Sequence, residues 1–429
     1  MTAPADDDRP RPHVLVGAYA LGPGDEPEAG AGWAFAVAAA ARHEVWAVTR
    51  RRFRPAVTQA LAADPRLAAH LHVTYVDAPA AVLALKRLPG GVYWYYAWWQ
   101  ALLARTARRL HAQVGFDVLH HVTWANDWMP CGLARVEGVP LVWGPVGGAS
   151  RTPYRRLRRW LGVRGVVVER LRDTVVALAR RRWGDAAARR ASLVVAQNPE
   201  VAERFAGARR VVVEPNAVVD PEVEPAPAPA GTTPGEPAVP ARTAVHVARL
   251  IPWKGTALAL DALARPEARG WRLDVYGDGP LRRALEARAR RLGLTGRVRF
   301  HGRRPRSEVL AATARADALL FPSMHDQAGW VAAEASTLGT PVVCLPLGGP
   351  PLLAQPAAFV AALEGDVVGN LARALVAAGE AGGTRHGRWS AARLPGLLAG
   401  WYAAAAADAA ALAAPTAPAV PAQGPAADA

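Results

Sequence analysis

The sequence predicts an α/β protein built from two Rossmann-like domains that face each other across a cleft. Apolar runs typical of β-strands alternate with helical runs over residues 13–219, and the same alternation restarts at residue 243. This alternation is the pattern of parallel sheets covered by helices. Residues 220–242, between the two halves, are rich in proline and alanine and lack core-forming periodicity, which is typical of a linker.

The individual elements follow from short apolar runs separated by helical segments. In the first half, strands are predicted at residues 13–17, 44–49, 117–122, 140–143 and 193–196, with a helix at 30–42. In the second half, residues 243–388, strands are predicted at 244–248, 272–276, 298–300, 318–321 and 341–345, and helices at 256–264, 280–292, 307–315 and 330–338. The ligand cleft is expected where the carboxyl ends of the strands face each other. Residues 1–12 and 413–429 are expected to be disordered tails.

The composition of the 429-residue chain is that of a globular protein, with 51% hydrophobic and 20% charged residues. No apolar run reaches the roughly 18 residues that a membrane span needs. The chain starts with an acidic segment, whereas a secretory signal would be basic. The two cysteines, Cys131 and Cys344, are too few for a disulfide framework or a metal cage. We therefore expect a cytoplasmic protein without a bound metal.

The net charge of +15 comes almost wholly from arginine, because Lys86 and Lys254 are the only lysines. Thirteen arginines lie within residues 151–190. This stretch can be interpreted as a solvated face. A more specific interpretation is peripheral contact with the inner face of an anionic membrane. Nucleic-acid binding is not favoured, because no nucleic-acid module accompanies the arginines.

Residues 93–99, a Tyr-Trp-Tyr-Tyr-Ala-Trp-Trp run, are too dense in aromatic side chains to form only one face of a helix. Core packing is one interpretation of this run. A platform for an acceptor or a membrane is the other.

Gly30 and Gly32 stand at the start of the predicted helix 30–42, where backbone amides can approach a phosphate of the donor. Helix packing explains the two glycines equally well. A dinucleotide fingerprint would need a tight turn before the helix, a third glycine and an acid after the second strand. Here the turn is long and Arg50 follows the second strand, so an NAD-dependent enzyme is disfavoured.

Two cations flank a turn in the second half, since Arg249 follows the strand at 244–248 and Lys254 precedes the next helix. This placement suits a diphosphate, because both side chains can stabilise negative charge on a departing phosphate oxygen. A solvated pair is the alternative. Gly277 and Gly279 follow the next strand, where a structural turn is a nearly sufficient explanation and donor binding is the alternative.

The most informative segment is residues 321–334. Asp326 follows a strand, and Glu334 lies eight residues further on, inside the predicted helix. One carboxylate is expected to accept hydrogen bonds from sugar hydroxyls and the other from a ribose diol, whereas a solvated acid and a capping acid are the alternative. The amides near Gln327, Ala328 and Gly329 are expected to form a helix N-terminus that faces a phosphate.

The order of these motifs resembles that of the family 4 glycosyltransferases, which are retaining enzymes of the GT-B fold. In the second half the likeness rests on Arg249, Lys254, the 277–280 turn, the Asp326-x7-Glu334 pair and the 341–343 segment. In the first half it rests on residues 116–121, 143–148 and 214–217, which are less specific.

The resemblance implies roles for the second-half motifs. Arg249 and Lys254 would bind the donor diphosphate, Glu334 the ribose and Asp326 the transferred sugar. Asp326 is one methylene shorter than the glutamate usual in the family, which alters that sugar contact or routes it through water. The resemblance also implies a final helix, residues 389–412, that returns to the N-terminal domain with Trp401 on its apolar face.

The first half departs from the family pattern in its histidines, which here are the adjacent His120 and His121. By resemblance one of them would face the acceptor. Neighbouring residues of a strand point to opposite faces of the sheet, so at most one does.

The resemblance therefore predicts a metal-independent, hexosyltransferase-like enzyme that moves a sugar from a nucleotide-diphosphate sugar to an acceptor with retention, without a cofactor. The acceptor class stays open among a glycan, a lipid-linked compound and a small molecule. A sugar-nucleotide epimerase or a phosphorylase of the same fold is the nearest alternative. A non-catalytic basic protein that binds membranes or nucleic acid is the alternative of another class.

Overall fold

Two parallel β-sheets, each covered by helices, form the computed structural model, which describes residues 10–24, 26–88, 90–219 and 242–413. The strands of the first sheet are β1 (His13–Ala18), β2 (Glu44–Thr49), β3 (Leu71–Tyr75), β4 (Val118–Thr123), β5 (Leu141–Val146), β6 (Leu193–Ala196) and β7 (Val211–Val213). Their spatial order is β3-β2-β1-β4-β5-β6-β7. The strands of the second sheet are β8 (Arg242–Val247), β9 (Trp271–Tyr276), β10 (Val298–Gly302), β11 (Ala318–Phe321), β12 (Val342–Cys344) and β13 (Ala358–Val360). Their order is β10-β9-β8-β11-β12-β13.

Helices connect the strands on both faces of each sheet. Those of the first half are α1 (Pro27–Ala40), α2 (Arg54–Ala63), α3 (Pro65–His70), α4 (Ala80–Leu85), α5 (Gly91–Val114), α6 (Tyr154–Ala179), α7 (Asp185–Arg190) and α8 (Pro199–Arg204). Those of the second half are α9 (Thr256–Leu263), α10 (Arg282–Arg291), α11 (Arg306–Arg315), α12 (Trp330–Thr337), α13 (Pro350–Leu353), α14 (Val367–Ala381) and α15 (Leu394–Ala413). None of these described helices is long and apolar enough to cross a membrane.

The predicted pair of Rossmann-like sheets is confirmed. The bounds of β2, β6 and β11 are those predicted, because these strands are clearly delimited apolar runs. The strands β3, β7 and β13 were missed. All three lie at the edge of a sheet and are partly exposed, and β7 and β13 are only three residues long, so their sequences carry little strand signal.

Three predicted helix starts were wrong by two residues or more. Helix α1 begins at Pro27 rather than at residue 30, since proline is favourable at the first helical position. Helix α10 begins at Arg282 rather than at 280, because the preceding turn is tied to β8's loop by a 3.1 Å hydrogen bond from Leu281 N to Leu250 O. The final helix begins at Leu394 rather than at 389, after a 3-10 turn at Ala391–Arg393.

The predicted linker and tails fall almost wholly outside the described residues. Residues 220–241 of the linker, 1–9 of the first tail and 414–429 of the second lie there. The linker prediction was one residue too long, because Arg242 already belongs to β8. The second tail was also set one residue early, because Ala413 still belongs to α15.

Helix α15 packs against the first sheet. Leu394, Leu398 and Trp401 are buried in the same hydrophobic cluster as Phe35 of α1, and the rings of Phe35 and Trp401 lie 6.3 Å apart between centroids. Helix α15 follows the second sheet in the chain, but it therefore packs on the first domain.

Helix α6 crosses between the domains in the other direction. Leu157 and Leu161 are buried in the hydrophobic cluster of the second sheet, and Trp160 Nε1 donates a 2.8 Å hydrogen bond to Asp261 of α9. At the other end of the helix, Arg180 forms an ion pair with buried Asp127 of the first domain. These contacts hold the two domains around a shared cleft.

Candidate functional site

A cavity of about 1560 Å³ lies between the two domains. Loops that follow β4, β5 and β6 line its first-domain side, and loops that follow β8, β9, β10 and β11 line the other side. The carboxyl ends of parallel strands in both sheets therefore open into one space, as is general for ligand sites in such sheets.

Lys254 and Asp326 meet in this cleft. Lys254 ends a 3-10 turn after β8, and Asp326 lies in the loop after β11. The Lys254 Nζ lies 2.5 Å from Asp326 Oδ2, and Ser323 Oγ donates to the same oxygen at 3.2 Å. The two charged side chains are 21% and 17% exposed, so their attraction is less screened than that of a surface pair. A ligand that reaches Lys254 also meets the Asp326 carboxylate.

Three arginines extend the positive side of the cleft. Arg249, Arg303 and Arg304 line the cavity and are exposed. Within the described part of the chain, none of the three forms an ion pair with a carboxylate. Arg303 and Arg304 were missed by the sequence analysis, although their place directly after β10 was a usable signal. The cleft thus offers uncompensated guanidinium groups to an anionic ligand.

Gly277 and Gly279 line the cleft wall, as do Ala328 and Gly329. Gly277 has a φ of 117°, and a Cβ there would lie 2.0 Å from the carbonyl O of Ala248. Close backbone packing therefore explains this glycine without a ligand. Gly329 is the residue before α12.

Gln327 joins the domains at the cleft. Its Oε1 accepts a 2.8 Å hydrogen bond from Gly148 N, and its carbonyl O accepts one of 2.9 Å from Asn198 Nδ2. Its Nε2 is buried without a partner, as are the Oδ1 atoms of Asn126 and Asn216 on the facing wall. Buried polar atoms without partners are rare in folded proteins, so these three atoms are unusual features of the cleft walls.

Glu334 lies in α12, behind the part of the wall formed by Trp330 and Val331. Its Oε1 accepts a 2.6 Å hydrogen bond from Arg306 Nη2, and its side chain is 16% exposed. Burial raises the pKa of the Glu334 carboxyl, and the Arg306 charge opposes that rise. Glu334 does not line the cavity, so contact with a ribose would require it to share its carboxylate between Arg306 and the ligand.

The placement expected for Gly30 and Gly32 needs correction. Neither residue lines the cleft, and both lie inside α1 rather than at its start. Gly32 is buried against the loop after β1, where a Cβ would lie 2.1 Å from the carbonyl O of Ala20. The helix start itself carries Glu26 and Glu28, whose carboxylates oppose a phosphate there. Helix packing is the interpretation that fits.

His120 and His121 do not face the cleft either, so the expected acceptor contact was wrong for both. They are fully buried on opposite faces of β4. His120 lies 2.8 Å from Tyr402 Oη and 2.9 Å from the Gly144 carbonyl O, and His121 lies 3.2 Å from Tyr96 Oη. Their hydrogen bonds are satisfied inside the domain, so they stabilise the packing of α5 and α15 on the sheet.

Glu28 and Trp124 are cleft residues that the sequence analysis missed. Trp124 N donates a 2.7 Å hydrogen bond to Glu28 Oε1, and Asn216 Nδ2 donates one of 3.1 Å to Glu28 Oε2. Burial raises the pKa of the Glu28 carboxyl. Trp124 has a φ of 56°, which is unfavourable for a bulky residue and is typical of functional sites. No local sequence signal marks Glu28 and Trp124, because their hydrogen-bonded group, which includes Asn216, joins three segments that are distant in sequence.

A sequence model of the family described as Glycosyl transferases group 1 matches residues 236–365. The matched stretch contains Arg249, Lys254, Asp326 and Glu334. The chain therefore resembles the group 1 glycosyltransferases over residues 236–365. Membership of family 4 stays a prediction.

Curated relatives of the chain include two whose names refer to the same compound. The 2-deoxystreptamine glucosyltransferase of Streptomyces kanamyceticus is 38% identical over 121 residues, which are 26% of this chain and 31% of the relative. The 2-deoxystreptamine N-acetyl-D-glucosaminyltransferase of Streptomyces fradiae is 31% identical over 250 residues, which are 54% of this chain and 56% of the relative. The chain thus spans about a third to about half of the length of these relatives.

Solved structures match nearly the whole chain. The crystal structure of Anabaena Alr3699/HepE in complex with UDP has a TM-score of 0.51 at 17% sequence identity, covering 91% of this chain and 98% of that chain. A likeness at this identity establishes the architecture and nothing finer. The chain has the GT-B fold.

The buried histidines of this GT-B chain predict that acidification destabilises it. Burial lowers the pKa of His120 to about 4, of His121 to about 3 and of His246 to about 4. As the pH falls from about 6.5, the unfolded chain therefore binds more protons at these sites than the folded one, and unfolding is favoured. The expected loss is about 1.4 kcal/mol per pH unit for each histidine. The carboxyls of Asp127, Glu28, Glu169 and Glu334 oppose it, because burial raises their pKa, that of Asp127 to about 6. His325, whose pKa burial lowers to about 3, adds to the loss, so histidine protonation sets the expected direction.

Urea unfolding followed by circular dichroism at neutral pH and at mildly acidic pH, above the range of ordinary carboxylates, measures this effect. The unfolding midpoint should move to lower urea as the pH falls. A midpoint that stays constant over this range would contradict the prediction.

Proposed function

We propose that the chain transfers a sugar from a nucleotide-diphosphate sugar to an acceptor, with retention of the anomeric configuration. The proposal rests on Arg249, Lys254 and Asp326, which line one cleft and lie in the stretch that the group 1 model matches. In this proposal residues 13–219 are the acceptor domain and residues 243–388 the donor domain.

The proposed reaction exchanges one carbon–oxygen bond for another. The bond between the anomeric carbon and the diphosphate oxygen breaks, and the acceptor hydroxyl oxygen forms the new bond on the same face of the sugar. The leaving diphosphate carries the charge away and takes up the acceptor proton. Lys254 and Arg249 stabilise that charge, and donors or cations placed at a developing negative charge typically contribute several kcal/mol. Asp326 accepts hydrogen bonds from the hydroxyls of the transferred sugar.

The relatives suggest the first ligands to test. By name, the two Streptomyces proteins transfer glucose and N-acetyl-D-glucosamine in connection with 2-deoxystreptamine, and the Anabaena structure holds UDP. Uridine-diphosphate sugars are therefore the proposed donors to try first. A small hydroxylated ring is the proposed acceptor.

The first-domain wall supports an acceptor of this kind. Tyr93, Trp124 and Trp128 line the cleft beside Glu28 and Asn126. Aromatic rings cover the apolar face of a ring-shaped ligand, whereas the Glu28 carboxylate accepts hydrogen bonds from its hydroxyls. We include Glu28 and Trp124 in the proposed acceptor site, in place of His120 and His121.

A panel of nucleotide sugars in a thermal-shift assay, followed by product analysis, tests the proposal. A donor at 100 times its Kd should stabilise the chain by about 2.7 kcal/mol. A glycosylated acceptor with release of the nucleotide diphosphate is the expected product. An isomerised nucleotide sugar would instead indicate an epimerase, and phosphorolysis a phosphorylase. Absence of any nucleotide-sugar binding would contradict the proposal.

The nucleotide contact of Glu334 gives a separate prediction. The Glu334→Gln variant should bind the bare nucleotide diphosphate about tenfold more weakly or worse, because a charged hydrogen bond contributes roughly 1.5 to 3 kcal/mol. Isothermal titration calorimetry measures this affinity. Arg306→Gln is the matched control, since it removes the observed 2.6 Å partner of Glu334 but leaves the carboxylate available. If the Glu334 variant binds the nucleotide as tightly as the unmodified chain, the ribose assignment is wrong.

We also propose that the enzyme works in the cytoplasm, at the inner face of an anionic membrane, with which residues 151–190 make peripheral contact. Cys131 and Cys344 are free and buried, which suits a reducing compartment. The excess of arginine in this segment supplies the attraction to anionic lipid.

A further inference from the structure

The second part of α6, residues 163–179, exposes an unusually apolar face. Val163 is 84% exposed, Leu171 64% and Leu178 74%. Val167, Val168 and Val175 are also about half exposed or more. We call these six side chains the α6 stripe. Most are spaced by three or four residues, so they lie along one side of the helix. Contiguous exposed aliphatic side chains of this number are typical of an interaction surface.

The opposite face of the same helix is anchored, so the α6 stripe cannot turn inward. Gly165, Glu169 and Val176 are buried. Arg172 forms an ion pair with Glu169 at 2.5 Å and lies 3.1 Å from Nε2 of His325, which lines the cleft. The orientation of the helix is therefore set by contacts on the cleft side, and the stripe faces away from them.

An arginine-lined pocket lies next to the stripe. Gly162, with a φ of 70°, interrupts α6, and a cavity of about 400 Å³ lies between its two parts. Tyr154, Arg155, Arg158, Val166 and Arg170 line it. The carbon at the centre of the Arg170 guanidinium lies 5.2 Å from the centre of the Tyr154 ring. We call this cavity the α6 pocket.

The α6 pocket has the chemistry of a phosphate site. Its three arginines are exposed, and no carboxylate within the described residues forms an ion pair with any of them. Guanidinium groups bind phosphate through two parallel hydrogen bonds. Arg164, Arg181 and Arg182 add exposed positive charge along the same helix and just beyond its end. A self-associated dimer through this face would bring these like charges together, which disfavours a second copy as the occupant.

We propose that α6 docks on an anionic phospholipid bilayer, with the phosphate of a lipid headgroup in the α6 pocket and the α6 stripe inserted at the boundary of the acyl chains. A helix with an aliphatic face beside clustered arginines is the pattern of interfacial helices that lie in the plane of a membrane. The docking specifies the peripheral membrane contact proposed above for residues 151–190, on which it rests, and it does not depend on the proposed sugar transfer. Because Arg172 links α6 to His325, docking would hold the cleft close to the membrane surface.

Vesicle flotation of the full chain tests the proposal. Vesicles of phosphatidylcholine with about a third phosphatidylglycerol should bind the chain, and pure phosphatidylcholine vesicles should bind it at least tenfold more weakly. High salt should weaken binding, because it screens the arginines. The Val167→Asp/Leu171→Asp variant should lose at least tenfold in affinity for the anionic vesicles. The Arg155→Gln/Arg158→Gln/Arg170→Gln variant should lose as much.

Matched controls separate docking through α6 from general attraction of a basic protein. Arg283→Gln/Arg290→Gln/Arg291→Gln removes the same charge from exposed positions of α10, and Leu292→Asp changes an exposed leucine outside α6. Both controls should bind vesicles within about threefold of the unmodified chain. UDP affinity of every variant, measured by calorimetry, reports on the cleft independently, so a failure of docking and a failure of the proposed transferase activity are distinguishable.

Several outcomes would overturn the proposal. Equal losses in the α10 control would mean that net charge alone attracts the chain. Equal binding to neutral vesicles would remove the role of the arginines. Full competition by millimolar glycerol phosphate, with no effect of the stripe variant, would assign the α6 pocket to a soluble phosphate. A concentration-dependent dimer in analytical ultracentrifugation that Leu171→Asp abolishes would assign the stripe to self-association.

Discussion

The Lys254→Ala variant should lower kcat/KM for the donor by about 10²- to 10³-fold and leave the fold intact. Lys254 Nζ lies 2.5 Å from Asp326 in the cleft, and Lys254 ends a short 3-10 turn rather than lying inside a strand or helix of the core. Removing one preorganised group that stabilises a developing negative charge typically costs about 2.7–4 kcal/mol in the transition state. The Arg249→Ala variant should show a loss in the same direction. Steady-state rates with an accepted donor, together with a thermal melt, measure both effects.

The control for this prediction is Arg283→Ala, which removes an exposed cation from α10 outside the cleft. Its kinetics should match those of the unmodified chain. Unchanged kinetics in both the Lys254 and Arg249 variants would remove the diphosphate assignment.

The Asp326→Asn variant should slow sugar transfer by about tenfold to 100-fold while changing the affinity for the bare nucleotide by less than about threefold. Asp326 accepts hydrogen bonds from Lys254 and Ser323, and we assign its remaining capacity to the hydroxyls of the transferred sugar. A charged hydrogen bond contributes roughly 1.5 to 3 kcal/mol, and each 1.4 kcal/mol is tenfold. Single-turnover rates and calorimetry with the nucleotide measure the two quantities.

Asp326→Glu is the comparison variant, because it keeps the charge and introduces the glutamate that is usual in the family that the chain resembles. It should retain more transfer activity than Asp326→Asn. A larger loss of nucleotide affinity for Asp326→Asn than for Glu334→Gln would show that the roles of the two carboxylates are reversed.

The sheets and the cleft-forming loops of the second domain were predictable from the sequence. Strands such as β8 and β11 are continuous apolar runs, and the loops that follow them carry Arg249, Lys254 and Asp326. In a parallel sheet all such loops emerge at one edge, so a local pattern suffices to place them together. Of the four edge strands, only β10 was predicted. The strands β7 and β13 are only three residues long, and polar residues interrupt β3, so none of them forms the longer apolar run on which the prediction depends.

The first-domain wall of the cleft was not predictable. Glu28, Trp124 and Asn216 are joined by hydrogen bonds across more than 90 residues of sequence. His120 and His121 were, conversely, predicted as candidate acceptor residues but are buried in the core. A histidine on a strand has the same sequence signal whether it faces a ligand or the core. Only the packing of α5 and α15 on β4 shows that both are buried.

The sequence by itself determined the two Rossmann-like sheets and the cluster of charged residues after the strands of the second, because strand and turn propensities act over a few residues. The tertiary structure alone decided the pairing of Lys254 with Asp326, the burial of both histidines and the exposure of the α6 stripe. Each of these depends on which distant element covers a given face. Helix α6 illustrates the reason: its periodicity allows two apolar faces, and only its anchorage through Arg172 and Glu169 selects the one that is left exposed.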